Sequence, residues 1–277
     1  MTRIIAPLIG LGFAFVLVLG LFGTITTASE PATAEHEFHL KPKPVALASN
    51  GIFGKFDKQQ LQRGFQVYKE VCAACHSISL VAFRDLADLG YNEAQVKAIA
   101  QQWTTEQPSV NPETGEPATR KNLPSDKFPH VYANDVAARA ANNNAIPPDL
   151  SLMTKARPDG AAYVHSLLTG YGESPAEVQK AFPNFTTPDG LYFNRYFPTL
   201  NLAMPQPLTS DGQVTYADGT NATIDQMAKD VTAFLVWTAE PKLEARHTAG
   251  LASVIFLLIF IGLTIGAYKS VWRNVKH

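Results

Sequence analysis

Two apolar runs at opposite ends of the chain decide how much of it is free to build a water-soluble core. The first, Ile4 to Ile25, is almost wholly apolar and follows Arg3. Small residues come after it, including Ala32-Thr33-Ala34, an A-x-A pattern. This reads as a secretory signal peptide with cleavage between about Ala28 and Ala34. At about 20 residues the run is also long enough to span a bilayer, so a retained N-terminal anchor is the alternative. The second run, Ala249 to Tyr268, carries no charge, and about 20 such residues cross a hydrocarbon core of about 30 Å. Lys269, Arg273 and Lys276 follow it, with Tyr268 and Trp272 at the interface. The positive-inside rule then places the short C-terminal tail in the cytoplasm, although Arg246 and His247 on the other side soften the asymmetry. The expected division is 1–34 as signal or anchor, 35–245 as an outer domain, and 246–277 as membrane helix and tail. In a bacterium the outer domain lies in the periplasm and the anchor in the inner membrane.

The middle of the chain reads as soluble. The formal net charge is -1 with no basic stripe, which argues against a nucleic-acid partner. Among 277 residues there are 2 cysteines, Cys72 and Cys75. So short a loop would contribute little as a disulfide staple, and the pair reads as chemical rather than architectural.

Local patterns are mainly helical. Asp57 with Gln60 resembles a capping box, and Leu61, Phe65, Tyr68 and Cys72 recur at helical spacing. Tyr91 to Trp103, Asp135 to Asn142 and Asp159 to Thr169 are further helices, the last stopped by Gly170. Thr223 with Gln226 makes a second capping box, followed by a face of Ile224, Met227, Val231, Leu235 and Thr238. His36 to Asn50 reads as an extended arm, and Pro108 to Pro129 as a loop. Glu173 to Pro207 is irregular yet crowded with aromatics, so it must pack against something.

The first helix runs into Cys72-Ala73-Ala74-Cys75-His76. C-x-x-C-H is the attachment signature of c-type haem: each sulfur joins one vinyl group, and the next histidine lies under the iron. Thioredoxin-like chemistry would want a βαβ context, whereas a helix precedes this motif. Structural zinc would need more ligands nearby, and no other cysteine exists. An electron carrier generally fills the iron's sixth position. Candidates are Met153, Met204, Met227 and several histidines. Met227 falls on a core face, Met153 fits simple packing, and His165 lies on a helix. Met204, in Asn201-Leu-Ala-Met-Pro-Gln-Pro207, is favoured because the following prolines stiffen its backbone. Gap-filling is the bland account of such a methionine.

The stretch Gly51-Ile-Phe-Gly-Lys-Phe56 and then Arg63-Gly-Phe-Gln-Val-Tyr-Lys-Glu-Val-Cys-Ala-Ala-Cys-His76 resembles the opening of cytochrome c1. Ala138-Arg-Ala-Ala-Asn142, Ile146-Pro-Pro-Asp-Leu-Ser151 and Tyr163-Val-His-Ser-Leu-Leu-Thr-Gly-Tyr171 are similar to the same family, in order. So are Gly190-Leu-Tyr-Phe-Asn-Arg-Tyr-Phe-Pro198, Met227-Ala-Lys-Asp-Val231, Ala239-Glu-Pro241 and the single C-terminal anchor. The resemblance implies a mainly α fold: a cytochrome c-like haem domain with long irregular loops, plus one C-terminal transmembrane helix. It implies one covalent haem c on Cys72 and Cys75, with His76 and Met204 as iron ligands, although the family's M-x-P-P pattern reads Met-Pro-Gln-Pro here. Arg157 resembles a residue that pairs with a haem propionate, and Tyr163 and Asn142 are weaker members of the haem surround. Many bacterial members carry a disulfide across the later loops; this chain has no cysteines for one.

The implied partners are cytochrome b, a Rieske iron–sulfur protein as donor and a cytochrome c as acceptor. The chain itself would be a non-catalytic electron-transfer subunit of a quinol–cytochrome c reductase. The docking surface for cytochrome c is often acidic in this family, but only scattered carboxylates such as Glu30, Glu35 and Glu37 are found here. Three other readings stand beside it: a free-standing anchored c-type cytochrome, a haem peroxidase, and a thiol–disulfide oxidoreductase using Cys72 and Cys75.

Overall fold

The computed structural model describes residues 2–27 and 32–275. The expected cleavage region falls partly outside these residues, and Glu30 and Lys276 lie outside them. Helix α1 (Thr2–Thr26) and helix α10 (Leu243–Trp272) are exposed on all sides along their apolar lengths. A helix that is apolar all round and unburied is suited to lipid rather than water. Helix α10 is 30 residues long and starts several residues before the apolar run itself.

Between these ends the chain is mainly helical. Helix α2 (Ala34–Phe38) and α3 (Lys58–Val67) are followed by a π-helical turn over Tyr68–Cys72 and a 3-10 segment over Phe83–Leu89. Then come α4 (Glu93–Gln102), α5 (Asp135–Ala141), α6 (Met153–Ala156), α7 (Gly160–Thr169), α8 (Ala176–Ala181) and α9 (Ile224–Ala239). Two small antiparallel pairs complete the described structure. Strand β1 (Gln107–Val110) pairs with β2 (Pro117–Arg120), and β3 (Tyr192–Phe193) with β4 (Asn201–Leu202). The expected loop from Pro108 to Pro129 is therefore partly a hairpin. Its strands, Gln-Pro-Ser-Val and Pro-Ala-Thr-Arg, carry no apolar alternation and bury no residue fully, so no strand signal marks them in the sequence.

The main core forms where α3 crosses α9. Phe65, Tyr68, Phe83, Trp103, Phe128 and Phe234 are buried there and meet ring to ring, with Phe83 and Phe128 only 4.1 Å apart between centroids. The crossing is close because Gly64 lies at it: a Cβ there would sit 2.1 Å from the Asp230 carbonyl oxygen and 2.7 Å from Phe234 Cβ. Asp230 is fully buried in the same contact. Its carboxylate accepts from Gln60 Nε2 at 3.0 Å, Gln226 Nε2 at 2.8 Å and Arg63 Nε at 2.8 Å, while Arg63 also reaches Asp218 at 2.7 Å. Burial alone would favour a neutral guanidine, but the hydrogen bonds and charges of Asp230 and Asp218 outweigh it and hold Arg63 above its ordinary pKa.

This buried carboxylate corrects both capping boxes. Asp57 caps Gln59 and Gln60 backbone N–H groups, and Thr223 caps that of Gln226, as the pattern requires. The reciprocal halves are missing, because Gln60 and Gln226 both turn their amides inward to Asp230. An unpaired buried carboxylate costs more than an uncapped, solvated N–H, so the interior demand wins.

The aromatic stretch does pack, as its composition demands. Phe193 and Leu200 join Ala34 and Val178 in a second buried cluster, with Phe38, Phe182 and Phe185 against it. Asn194 is fully buried and ties the stretch to the end of α7, donating to the Leu167 carbonyl at 2.8 Å. The arm before α3 is extended apart from α2, and Leu40 N–H bonds the Arg195 carbonyl at 2.8 Å.

Candidate functional site

Helix α3 loosens at Tyr68, where the Ala73 N–H reaches back five residues to the Tyr68 carbonyl at 2.8 Å. Such π turns inside helices often lie at functional sites. The widened turn sets Cys72 half-buried against the core and leaves Cys75 exposed; both are free thiols. The N–H groups of Cys75 and His76 both bond the Cys72 carbonyl, at 3.1 and 2.9 Å, which folds Cys72, Cys75 and His76 into one compact turn. Tyr68 closes it from below, its hydroxyl donating to the His76 carbonyl at 2.9 Å.

The imidazole of His76 is oriented by one bond. Its Nδ1 lies 2.8 Å from the Pro148 carbonyl oxygen. A carbonyl can only accept, so Nδ1 carries the proton and Nε2 keeps its lone pair. Burial lowers the His76 pKa, partly offset by the Pro148 carbonyl and the nearby Asp149 carboxylate. The ring is therefore neutral at pH 7, the form that ligates a metal.

Pro148 is held in place by its neighbours. Asp149 accepts from the Ser79 and Ser151 N–H groups at 2.9 and 2.8 Å, Leu150 N–H bonds the Ser77 carbonyl at 2.8 Å, and Ser151 Oγ accepts from Leu80 N–H at 3.1 Å. Residues 77–80 and 149–151 are thus zipped together on either side of the imidazole. The sequence marked Pro147-Pro148-Asp149-Leu150-Ser151 only as part of a family pattern.

Met204 lies in a different segment and is half-buried. Its carbonyl accepts from the Tyr171 hydroxyl at 3.0 Å. Tyr171 follows α7 and bridges to Asn194, so Met204 is tied to the same helix end that holds the aromatic stretch. Burial, then the proximity of Tyr163, raises the Tyr171 pKa, so this phenol stays a donor. Arg157 ends α6 on the exposed surface, with Nη1 3.2 Å from the Ala156 carbonyl. Burial raises the pKa of Tyr163, and the nearby Arg157 cation opposes that shift. Tyr171 and Met204 are joined by a direct bond, with Tyr163 close to Tyr171 and Arg157 close to Tyr163. The Asn142 amide closes α5 on the Ala138 carbonyl at 2.7 Å. Met153 and Met227 are buried in the main core, as their spacing suggests. His165 sits with Nε2 3.1 Å from Asp225.

The residues present fit a covalent haem better than the other chemistries considered. Burial, with Cys75 beside it, pushes the Cys72 thiol up to about 12. A thiol–disulfide catalyst needs the opposite, a thiol made acidic. Among the described residues no group of three His, Cys, Asp or Glu side chains could hold a metal ion, so the cysteine pair has no zinc site around it. Two thiols and one imidazole with a free Nε2, on a single turn, match the donor set that haem attachment requires.

Comparison with known proteins agrees. The Cytochrome C1 family model matches residues 47–275. Cytochrome c1 of Rhodospirillum rubrum is 46% identical over 82% of this chain and 86% of its own length. The mitochondrial cytochrome c1 haem protein of Saccharomyces cerevisiae is 43% identical over 92% of this chain and 79% of its own length. A protein named cytochrome b/c1 from Bradyrhizobium diazoefficiens is 47% identical over 84% of this chain, which spans only 36% of that longer protein. With a family match over residues 47–275 and relatives above 40% identity along most of their length, the chain belongs to the cytochrome c1 family.

Proposed function

We propose that this chain carries one haem c, anchored as thioethers at Cys72 and Cys75, and relays single electrons within the bc1 complex from a Rieske iron–sulfur protein to a cytochrome c. As a cytochrome c1 it is a haem subunit of that complex with an electron-transfer role. The observation that carries the fuller reading is the His76 Nδ1–Pro148 bond on the Cys72–Cys75 turn, which fixes a neutral imidazole with Nε2 open to iron.

Bound haem supplies one-electron chemistry at its iron; the protein supplies the ligands and their surroundings. His76, oriented by Pro148, and Met204, its backbone held by Tyr171, would ligate the iron. A thioether favours ferrous iron, so His/Met ligation raises the potential relative to two histidines. Arg157, with Tyr163, offers a cation and a phenol to a propionate. Cytochrome b is the expected membrane partner, supported by the cytochrome b/c1 relative. The outer domain lies in the periplasm and the tail after α10 in the cytoplasm. The segment through Ala34 is a signal peptide or a retained anchor; Ala34 itself is already part of the buried second cluster.

A pyridine haemochrome spectrum of the denatured protein, after acid–acetone extraction, tests the cofactor. A c-type band is expected, and its absence would leave the haem reading without support. Mild solubilisation tests the role: co-purification of a b-type haem is expected, and a lone chain would favour a free-standing anchored cytochrome.

A further inference from the structure

The turn Gly51–Gly54 presents two large apolar side chains with nothing around them. Ile52 is 76% exposed and Phe53 75%. This is a built turn. Gly54 N–H bonds the Gly51 carbonyl at 3.2 Å, Lys55 N–H the Ala48 carbonyl at 3.0 Å, and Asn50 Nδ2 the Val45 carbonyl at 2.9 Å. Gly51 has a φ of +82°, and a Cβ on Gly54 would lie 2.2 Å from the Ser49 carbonyl oxygen. Both glycines are needed for a turn this tight, and its closure drives Ile52 and Phe53 outward.

The turn sits where α10 leaves the domain. Phe56 N–H donates to Glu244 Oε1 at 2.8 Å. Ser49, Asn50 and Gly51 line one side of a cavity of about 340 Å³, and Leu243, Arg246 and His247 line the other. The four residues from His247 to Leu251, where large apolar side chains of α10 begin, rise about 6 Å along the helix. The headgroup layer on each face of a bilayer is about 5–8 Å thick. The turn therefore stands level with that layer. Lys55 at the end of the turn and Lys242 just before α10 are exposed and suit anionic phospholipid headgroups, while Arg246 is paired with Glu240.

We propose that Ile52 and Phe53 insert into the outer interfacial layer of the membrane beside α10, a second lipid contact that fixes how the haem domain sits on its anchor. A lipid surface fits better than a protein surface. The exposed apolar area is only two side chains wide, the exposed Lys55 follows it directly, and it adjoins a helix that is unburied along its apolar length. The inference rests on α10 spanning the membrane.

The test uses the intact complex in vesicles of phosphatidylethanolamine and phosphatidylglycerol. Ile52→Cys and Phe53→Cys are each spin-labelled in the holoprotein, with unsubstituted holoprotein as the blank. Val136→Cys on the exposed domain surface serves as the water reference and Ile259→Cys in α10 as the lipid reference. Collision with oxygen and with a water-soluble nickel chelate is then compared. The expected result is an oxygen-to-nickel ratio at positions 52 and 53 several-fold above that at 136, between the two references. A ratio equal to that at 136 overturns the inference. Shielding from both reagents also overturns it, by showing that a partner subunit covers the turn. If position 259 is also water-accessible, the anchor reading fails and the inference with it.

Discussion

Replacing Asp230 with asparagine keeps the side chain's size and removes the charge on which the crossing of α3 and α9 converges. The carboxylate is fully buried and accepts from Arg63, Gln60 and Gln226. An asparagine has one acceptor oxygen, so its NH₂ would face either the Arg63 Nε–H or the two glutamine amides, donor against donor. Breaking a buried pair by removing one partner costs about 3–5 kcal/mol. The Arg63 side chain keeps 14% exposure and its bond to Asp218, which places the loss nearer about 2–3 kcal/mol. For a domain of this size that lowers the melting temperature by about 5–10 °C. The assay is thermal unfolding of the detergent-solubilised full chain, followed by near-UV circular dichroism. A double variant, Arg63→Met with Asp230→Asn, should recover part of the loss, because it removes the guanidinium and lets the asparagine oxygen accept from Gln60 and Gln226. A melting temperature of Asp230→Asn within about 2 °C of the parent would refute the reasoning. So would a double variant less stable than the single.

Met204→Leu should lower the haem potential sharply, by loss of the thioether, and open the sixth position to carbon monoxide; an unchanged redox titration would count against the ligand assignment. Gly64→Ala should destabilise the fold by about 3 kcal/mol, since its Cβ would meet backbone at 2.1 Å and the helices must part; urea unfolding measures this. Asp149 has a lowered pKa: burial opposes the charge, but bonds from Ser151 and Ser79 outweigh it. Its contribution is therefore present above the ordinary value of 3.8 and is lost as pH falls through the lower folded value. Asp149→Asn should flatten that acid limb in unfolding curves taken from pH 6 to pH 2. Tyr171→Phe leaves the Met204 carbonyl without its donor and should cost about 1 kcal/mol, with a shifted potential as the readout that plain destabilisation would not give.

Much of the site was legible in the chain because its signals are local. Cys72, Cys75 and His76 are neighbours, and their spacing is itself the chemistry. Helices α3, α4, α5, α7 and α9 were legible for a like reason: capping residues, helical spacing of apolar side chains or an alanine-rich run mark them locally. The hairpin at Gln107–Arg120 was not, since its strands bury little and so leave no alternation to read. Nor was the Pro148 carbonyl as the partner of His76, because a backbone acceptor 72 residues away carries no residue-type signature.

The sequence by itself determined the two apolar ends, the helical middle and, through its ordered motifs, the family. Tertiary structure alone decided which imidazole nitrogen is free, what holds Met204 in place, and where the capping glutamines turn. These depend on contacts between segments distant in the chain. The fully buried Asp230 is the clearest case: its need for donors overrode two local capping patterns that were otherwise correctly read. A local pattern records what a residue can do with its neighbours, whereas the folded interior decides which use costs less free energy.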